Sequence, residues 1–218
     1  MTWIAAEDTR HSAPLLKHLG STAKTLPAHE HNEEAAASKI IERLAAGESV
    51  ALIADAGTPA ISDPGARIVA RVREAGFRIT PLPGPCAAVT ALSASGLTDP
   101  HFLFYGFLPS KSGQRRQALS ELLTLPYTLV FYEAPHRILE TVADLAEVFG
   151  GERTLVIARE ISKLFETIHS LPLGAATAWL TADPNQQRGE FVLMLSGAPT
   201  NKGDTAEAER VLKLLLGE

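Results

Sequence analysis

The sequence predicts an α/β fold that is divided into two α/β domains. In the first half of the chain, short apolar runs typical of buried strands alternate with amphipathic helical patterns, which indicates parallel strands covered by helices. The same alternation begins again near residue 101. We therefore predict an N-terminal domain with a mostly parallel sheet over residues 1–97, a C-terminal α/β domain over residues 98–197, and a linker with a terminal helix over residues 198–218.

The elements of the first half have recognisable ends. Asn32 is predicted to cap the second helix and Gly47 to end it. Asp63 is predicted to cap the third helix, with Pro64 in its first turn and Gly76 after its last. The predicted strands cover residues 2–7, 25–30, 49–54 and 77–82, and the predicted helices cover residues 12–19, 32–47, 63–76 and 85–96.

The second half repeats this organisation with longer apolar runs, which favour buried strands. Its predicted strands cover residues 101–107, 127–133, 153–160 and 190–195. Its predicted helices cover residues 113–125, 136–150 and, more weakly, 173–180, and an amphipathic pattern over residues 205–218 predicts the terminal helix.

The composition is that of a soluble globular protein. Of its 218 residues, 45% are apolar and 21% are charged, and no apolar run is long enough to cross a bilayer. Cys86 is the only cysteine, so an internal disulfide is impossible, and the cytoplasm is the expected compartment. The net charge of −5 argues against a general nucleic-acid coat but is compatible with a local basic patch.

Two turns at predicted strand ends, "DAGTPAISDPG" and "PLPGPCAA", are the strongest candidates for ligand binding. Their prolines remove backbone N–H donors, and neither turn has a phosphate-loop layout, so a nucleoside triphosphate or a dinucleotide is a poor match. A pocket rich in carbonyl acceptors suits S-adenosylmethionine, which carries a sulfonium and an amino group. Ordinary turn chemistry without any ligand explains the same prolines and glycines, and both interpretations stay open here.

Further segments, taken with these turns, resemble a known family. The segments "AAEDTRHS", "DAGTPAISDPG", "PLPGPCAAVTALSASGL", "GFLPSKSGQRR", "FYEAPHRI" and "AREISK" occur in this order. Together they resemble the RsmI-type bacterial 16S rRNA (cytidine 2′-O)-methyltransferases, which belong to the tetrapyrrole methylase-like class. The resemblance extends from the first residues to about residue 197, and the six motifs in order are far more specific than any one alone.

This resemblance implies two α/β domains with S-adenosylmethionine in a cleft between them. It implies methylation of the ribose 2′-hydroxyl of a cytidine in the decoding centre of the small ribosomal subunit, by a homodimer. Members of the family normally begin with a further strand and a Pro-Ile-Gly-Asn-type turn, so we expect that N-terminal strand to be missing here. The implied cofactor-binding residues are Asp55, Gly57, Thr58, Pro59, Ile61, Ser62, Pro83, Gly84, Pro85, Cys86 and Ala87.

The remaining motifs contain the candidates for catalysis and for RNA contact. The catalytic candidates are Glu133, His136 and Lys163, and the RNA-binding candidates are Arg10, Lys111, Arg115, Arg116 and Arg137. Each has a structural alternative: a capping carboxylate for Glu133, a satisfied histidine for His136, a buried Asp8–Arg10 pair and a solvated helix start for the basic cluster around Lys111. In the sequence, no acidic residue adjoins that cluster.

A metal site is not predicted. His29 and His31 can share one face of a strand, but no further His or Cys pair has metal-ligand spacing, so a polar strand end is the better interpretation. Competing functions are methylation of a tetrapyrrole or of a modified protein side chain, or an inactive fragment that only binds cofactor or ribosome. Since the sequence shows no spanning segment, no membrane partner is expected.

Overall fold

The computed structural model describes residues 1–199, 212–213 and 215–216. The chain divides into two compact units, Met1–Thr90 and Ala91–Glu218. The division falls a few residues before the predicted boundary. The predicted linker and terminal helix lie largely outside the described residues. None of the described helices is long and apolar enough to cross a membrane.

The first unit contains a three-stranded parallel sheet in the order β2-β1-β3. Its strands are β1 (Trp3–Ala6), β2 (Lys24–Pro27) and β3 (Val50–Ile53). Its helices are α1 (Thr9–His18), α2 (Glu33–Ala45) and α3 (Ala66–Glu74), and α4 (Ala87–Ala94) crosses into the second unit. The parallel arrangement predicted for this half is confirmed. Its core contains small and aliphatic side chains of the sheet, α2 and α3, including Ala5, Leu26, Ala37, Ile40, Ile68 and Val72.

The strand predicted over residues 77–82 is absent. Pro81 and Pro83 have no N–H to donate to a sheet ladder, which explains why the apolar pattern there does not form a strand. Phe77 and Ile79 nevertheless pack against the core of the first unit. The apolar pattern therefore predicted burial correctly and the backbone state wrongly.

The capping predictions for α2 and α3 were also partly wrong. Asn32 occupies the N-cap position of α2, but its side chain accepts from the His29 backbone N–H at 2.8 Å instead of capping the helix. Helix α3 begins after Gly65, so Asp63 does not cap it and Pro64 does not lie in its first turn. The Gly65 N–H donates to the buried Glu33 carboxylate at 2.7 Å. Gly65 has a φ of +133°, and a Cβ there would lie 2.9 Å from Cδ2 of Leu52, so glycine is required at this position.

The second unit contains a five-stranded mixed sheet in the order β4-β5-β8-β6-β7. Its strands are β4 (Phe102–Phe107), β5 (Thr128–Glu133), β6 (Thr154–Arg159), β7 (Thr167–Pro172) and β8 (Phe191–Leu195). Strands β4 and β5 are parallel neighbours, whereas β8 runs antiparallel to both β5 and β6, and β7 runs antiparallel to β6. Strand β7 was not predicted, since its polar residues give no continuous apolar run and it lies at a sheet edge.

The helices of the second unit pack on this sheet around a larger core. They are α5 (Ser112–Ser120), α6 (Ile138–Phe149) and α7 (Leu173–Ala182). Helix α5 ends earlier than predicted. The central strands are fully buried, as expected for their continuous apolar runs, and the core includes Leu129, Phe131, Leu145, Leu155, Ile157, Leu180 and Leu193.

Candidate active site

An acidic cluster, defined here as Glu7, Asp55 and Asp63, forms at one edge of the sheet of the first unit. Glu7 directly follows β1 and Asp55 follows β3, and because these strands are parallel neighbours their carboxyl ends meet. The backbone N–H of Asp55 donates to Oε2 of Glu7 at 3.1 Å, and the N–H of Asp8 donates to Oδ1 of Asp55 at 3.2 Å. Adjacent to these residues lies a cavity of about 390 Å³, lined by Glu7, Asp8, Thr9, Arg10, Pro27, His29 and Asp55.

The negative charge of the acidic cluster is not compensated by basic side chains. Burial, followed by the charges of Glu7 and Asp55, raises the pKa of Asp63 from 3.8 to about 6. Within residues 1–199, no lysine or arginine forms an ion pair with any member of the cluster. A half-buried group of carboxylates without a cation of its own favours binding of a positively charged ligand.

Replacing Asp63 by asparagine is expected to stabilise the protein above pH 6 and not below pH 4. Because the folded-state pKa is raised, the fold favours protonated Asp63, and its stabilising contribution is lost as the pH rises through about 6. Solvent screening of this half-buried group reduces the gain for Asp63→Asn to about 1 kcal/mol at pH 7.5. Urea unfolding at pH 4 and at pH 7.5 measures this change in the free energy of unfolding. The exposed Glu152→Gln serves as control, and an equal gain at pH 4 and pH 7.5 would contradict the prediction.

The structure brings the two predicted cofactor loops together. The Thr58 hydroxyl, in the first loop, donates to the Pro85 carbonyl, in the second, at 2.9 Å. Glycine at position 84 permits this approach, because a Cβ there would lie 3.3 Å from Oγ1 of Thr58. Ala60 and Ser62 have φ values of 68° and 61°, which is strained for residues other than glycine and typical of functional loops.

The remaining residues of these loops provide exposed apolar surface. Leu82 is 78% exposed and Ile61 is 41% exposed, which is unusual for large aliphatic side chains. Pro83 and Pro85 are also exposed, Pro59 and Cys86 are half-buried, and Ala87 begins α4. Acidic, carbonyl-rich and apolar groups are therefore combined within one unit.

Arg10 is accessible. Its guanidinium and its backbone N–H donate to the Asp8 carboxylate at 2.8–3.1 Å, and these bonds hold the pKa of Asp8 well below its usual range. The arginine side chain is 90% exposed, so the buried structural pair considered as an alternative is wrong. An exposed pair of this kind contributes little to stability. RNA contact by Arg10 stays a prediction.

Glu133 is buried and surrounded by hydrogen-bond donors. The N–H of Ala134 donates to Oε1 at 2.8 Å, and the Thr141 hydroxyl donates to Oε2 at 2.6 Å. Arg137 donates to Oε2 at 3.2 Å and also to the Leu108 carbonyl at 2.7 Å. No side chain caps α6, so Glu133 is not the capping carboxylate considered as an alternative. A structural role is nevertheless favoured over the catalytic one, because both oxygen atoms hold the turn before α6.

The other catalytic candidates occupy different environments. Lys163 forms ion pairs with Glu160 at 2.9 Å and Glu190 at 2.7 Å, and hydrogen bonds with Glu190 and Glu160 raise its pKa. Its ammonium is therefore kept protonated, which disfavours a role as a base. His136 lies exposed at the turn that follows β5. Of the three candidates, His136 alone has an exposed side chain that is not engaged by ion pairs or hydrogen bonds given above.

Arg115 does not contact solvent, so the prediction that it binds RNA is wrong. Its side chain is fully buried, with Nε donating to Oδ2 of Asp144 at 2.6 Å. Ser112 donates to the other oxygen of Asp144 at 2.9 Å, which ties α5 to α6. The acid missing near this cluster in the sequence is supplied by α6. Arg116 is 42% exposed and pairs with Glu147 at 2.9 Å, and Lys111 is exposed.

The histidines near β2 lie in a turn and not at the end of a strand. His29 precedes the short helical turn Glu30–Asn32, and the rings of His29 and His31 are 6.2 Å apart. Across the described part of the chain, no cluster of at least three His, Cys, Asp or Glu side chains could hold a metal ion. Glu7 and Asp63 were not among the predicted site residues. The position of Glu7 directly after β1 was a usable signal, whereas Asp63 lies further along the loop that follows β3.

The fold is shared with a class of α/β proteins that includes methyltransferases of known structure. The crystal structure of the methyltransferase CobJ superposes with a TM-score of 0.64 at 19% identity, over 90% of this chain and 83% of that chain. A uroporphyrin-III-C-methyltransferase from Thermus thermophilus gives 0.58 at 20% identity, over 89% and 81%. These likenesses establish the fold alone.

The sequence places the chain within that class. Residues 1–177 match the family Tetrapyrrole (Corrin/Porphyrin) Methylases, and the chain belongs to this family. Ribosomal RNA small subunit methyltransferase I of Pseudomonas aeruginosa is 52% identical over 218 residues, which is 99% of this chain and 77% of the relative. The protein of the same description from Escherichia coli O157:H7 is 48% identical over 99% of this chain and 76% of its own.

Proposed function

We propose that this protein transfers the methyl group of S-adenosylmethionine to the ribose 2′-hydroxyl of a cytidine in the 16S rRNA of the small ribosomal subunit. The observation that carries the proposal is the identity of 52% to a ribosomal RNA small subunit methyltransferase I over nearly the whole chain. The six motifs of the sequence support the cytidine ribose as the acceptor. A homodimer in the cytoplasm is part of the same proposal.

The residues of the first unit fit S-adenosylmethionine. The acidic cluster offers uncompensated negative charge to the sulfonium and the amino group of the donor. Carbonyl groups of the loops accept from its amino groups, and Leu82 and Ile61 supply exposed apolar surface for the adenine ring. When bound, the donor supplies a methyl carbon that its sulfonium has activated for displacement. The residues proposed to hold it are Asp55, Gly57, Thr58, Pro59, Ile61, Ser62, Pro83, Gly84, Pro85, Cys86 and Ala87, together with Glu7 and Asp63.

The contribution of the chain to the chemistry is chiefly orientation. Holding the ribose hydroxyl in line with an activated carbon removes most of the entropy cost of a bimolecular encounter. The hydroxyl proton needs an acceptor within about 3 Å of its oxygen. Among the catalytic candidates, we assign this role to the ring of His136, because the Glu133 oxygens are occupied and Lys163 is protonated. Glu133 then acts as a positioning residue for Arg137.

Arg10, Lys111, Arg116 and Arg137 are proposed to contact RNA phosphates, which position the substrate without reading its sequence. Lys111→Ala is expected to weaken binding to small ribosomal subunits a few-fold and to reduce the slope of log affinity against log salt concentration by about 1. Filter binding at several salt concentrations measures both quantities. Lys39→Ala, on the exposed face of α2, serves as the control. An unchanged salt slope would remove Lys111 from the interface.

The proposed reaction is tested with tritiated S-adenosylmethionine and small ribosomal subunits that lack the methyl group. We expect label in the 16S rRNA, at a ribose. Label that enters only a porphyrinoid precursor supplied in parallel would overturn the proposal in favour of tetrapyrrole methylation. A folded chain that gives no heat on titration with millimolar S-adenosylmethionine would instead indicate an inactive fragment.

A further inference from the structure

An aromatic group lies at the carboxyl end of the parallel strands β4 and β5. Phe107 ends β4 and is paired in register with Tyr132 of β5. Their ring centroids are 5.7 Å apart, and the ring of Phe104 lies 4.9 Å from that of Tyr132, both in edge-to-face geometry. Edge-to-face contacts of this kind hold aromatic rings in fixed orientations.

Phe107 remains 52% exposed although it is braced in this way. The neighbouring aromatic Phe131 is fully buried in the core of the second unit, on the face of the sheet opposite to Tyr132 and Phe107. A rigid, half-exposed phenyl ring loses little conformational entropy when a flat partner stacks on it. The strand end is also where ligands bind in α/β sheets.

The charges beside Phe107 are positive or neutralised. Lys111 and His136 are exposed in the segments that follow β4 and β5. Arg137 donates to the carbonyl of Leu108, the residue next to Phe107. The carboxylate of Glu133, at the end of β5, pairs with Arg137 at 3.2 Å. This surrounding favours a polyanion with a flat apolar group over an acidic peptide.

We propose that Phe107, braced by Tyr132, stacks on an unpaired base of the RNA substrate, with Lys111 beside the adjacent phosphate. This inference rests on the proposed function, because it assumes an RNA substrate, but it names a contact that the rRNA assignment does not require. Stacking of a base on an aromatic side chain changes affinity by roughly 5- to 150-fold and tolerates any base. Phe107 would therefore strengthen binding without selecting the sequence.

Variants of Phe107 test the proposal on small ribosomal subunits that lack the methyl group. We expect Phe107→Ala and Phe107→Leu to raise the Kd in filter binding by roughly 5- to 150-fold, and Phe107→Trp to remain within about twofold of the unaltered protein. Phe102→Ala is the matched control, since Phe102 lies on the same strand at its opposite end and is 47% exposed. The Kd for S-adenosylmethionine should be unchanged in every variant.

The Leu variant keeps the proposal falsifiable if the Ala variant folds poorly, because leucine retains apolar packing on Tyr132 but has no flat face. Binding by Phe107→Leu equal to that of the unaltered protein would overturn the proposal that Phe107 stacks on a base. Methylation of the subunits by the unaltered protein would, in that case, leave the proposed function intact. An unaltered protein that neither binds nor methylates subunits would overturn both. A Phe107 variant that loses self-association in sedimentation but keeps its RNA affinity would assign Phe107 to a dimer interface and overturn the proposed base stacking.

Discussion

Arg115→Met is expected to lower the free energy of unfolding by about 3–5 kcal/mol, the largest effect on stability that we predict. The guanidinium is fully buried and bonded to Asp144 at 2.6 Å, and it also donates to the carbonyls of Pro109 and Ser110 at 3.4 and 3.3 Å. Methionine fills much of the volume but leaves the buried Asp144 carboxylate with only the partly exposed Arg116, 3.6 Å away, as a charged neighbour. The loss therefore reflects an uncompensated charge more than a missing attraction.

Denaturant unfolding of three variants separates this effect from a general cost of mutation in α5. Arg116→Met, at a partly exposed neighbour that pairs with Glu147 at 2.9 Å and more distantly with Asp144 at 3.6 Å, is expected to cost less than about 1 kcal/mol. The double variant Arg115→Met/Asp144→Leu is expected to recover most of the stability, since it removes the buried charge as well as its partner. A loss below about 1 kcal/mol for Arg115→Met alone would mean that water or Arg116, whose Nη1 lies 3.6 Å from Oδ1 of Asp144, compensates the Asp144 charge.

Asp55→Asn is expected to raise the Kd for S-adenosylmethionine by roughly 10- to 150-fold, the largest effect on ligand binding that we predict. Asparagine keeps the shape of the side chain and can still accept the Asp8 N–H bond, which is 3.2 Å long in the structure. Only the negative charge is removed. If the acidic cluster attracts the cationic donor, the affinity must fall even though the loop is preserved.

Isothermal titration calorimetry measures this affinity, and unfolding curves check that the variant is folded. Glu74→Gln removes a carboxylate of α3 that is 68% exposed and pairs with Arg71, so it changes the net charge equally without touching the cluster. We expect its Kd to remain within twofold. A change of less than twofold for Asp55→Asn as well would place the donor away from the carboxyl ends of β1 and β3.

The fold could be predicted where the sequence pattern and the backbone chemistry agree. The segments around β1, β3 and the buried strands of the second unit combine apolar runs with clear helix signals between them. The sequence pattern and the backbone chemistry disagree over residues 77–82, where the apolar spacing indicates a strand but prolines remove the N–H donors that a sheet needs. Strand β7 shows the reverse case, in which a strand forms although the sequence pattern does not predict one. Its pairing with β6 is a tertiary contact, and its mixed polar sequence gives no sign of it.

The candidate site divides in the same way. Positions that depend on strand ends, such as Asp55 and Thr58, could be predicted, because the carboxyl edge of a parallel sheet is fixed by topology. The environment of a charged side chain could not. Arg115 resembled a phosphate-binding residue until the structure placed Asp144 of α6 against it, and this contact joins residues far apart in the chain. The resemblance to a family located the motifs, but it did not show which of their residues make buried structural contacts and which are exposed for binding.

The raised pKa of Asp63 has a consequence for how a cation is taken up. Near pH 6 this carboxyl group holds a proton for part of the time, as burial and its acidic neighbours require. A positive ligand that binds beside Asp63 would favour its ionised form, so binding of the ligand would release protons into the buffer. Affinity would then rise as the medium becomes less acidic, and the measured heat would depend on the ionisation enthalpy of the buffer chosen.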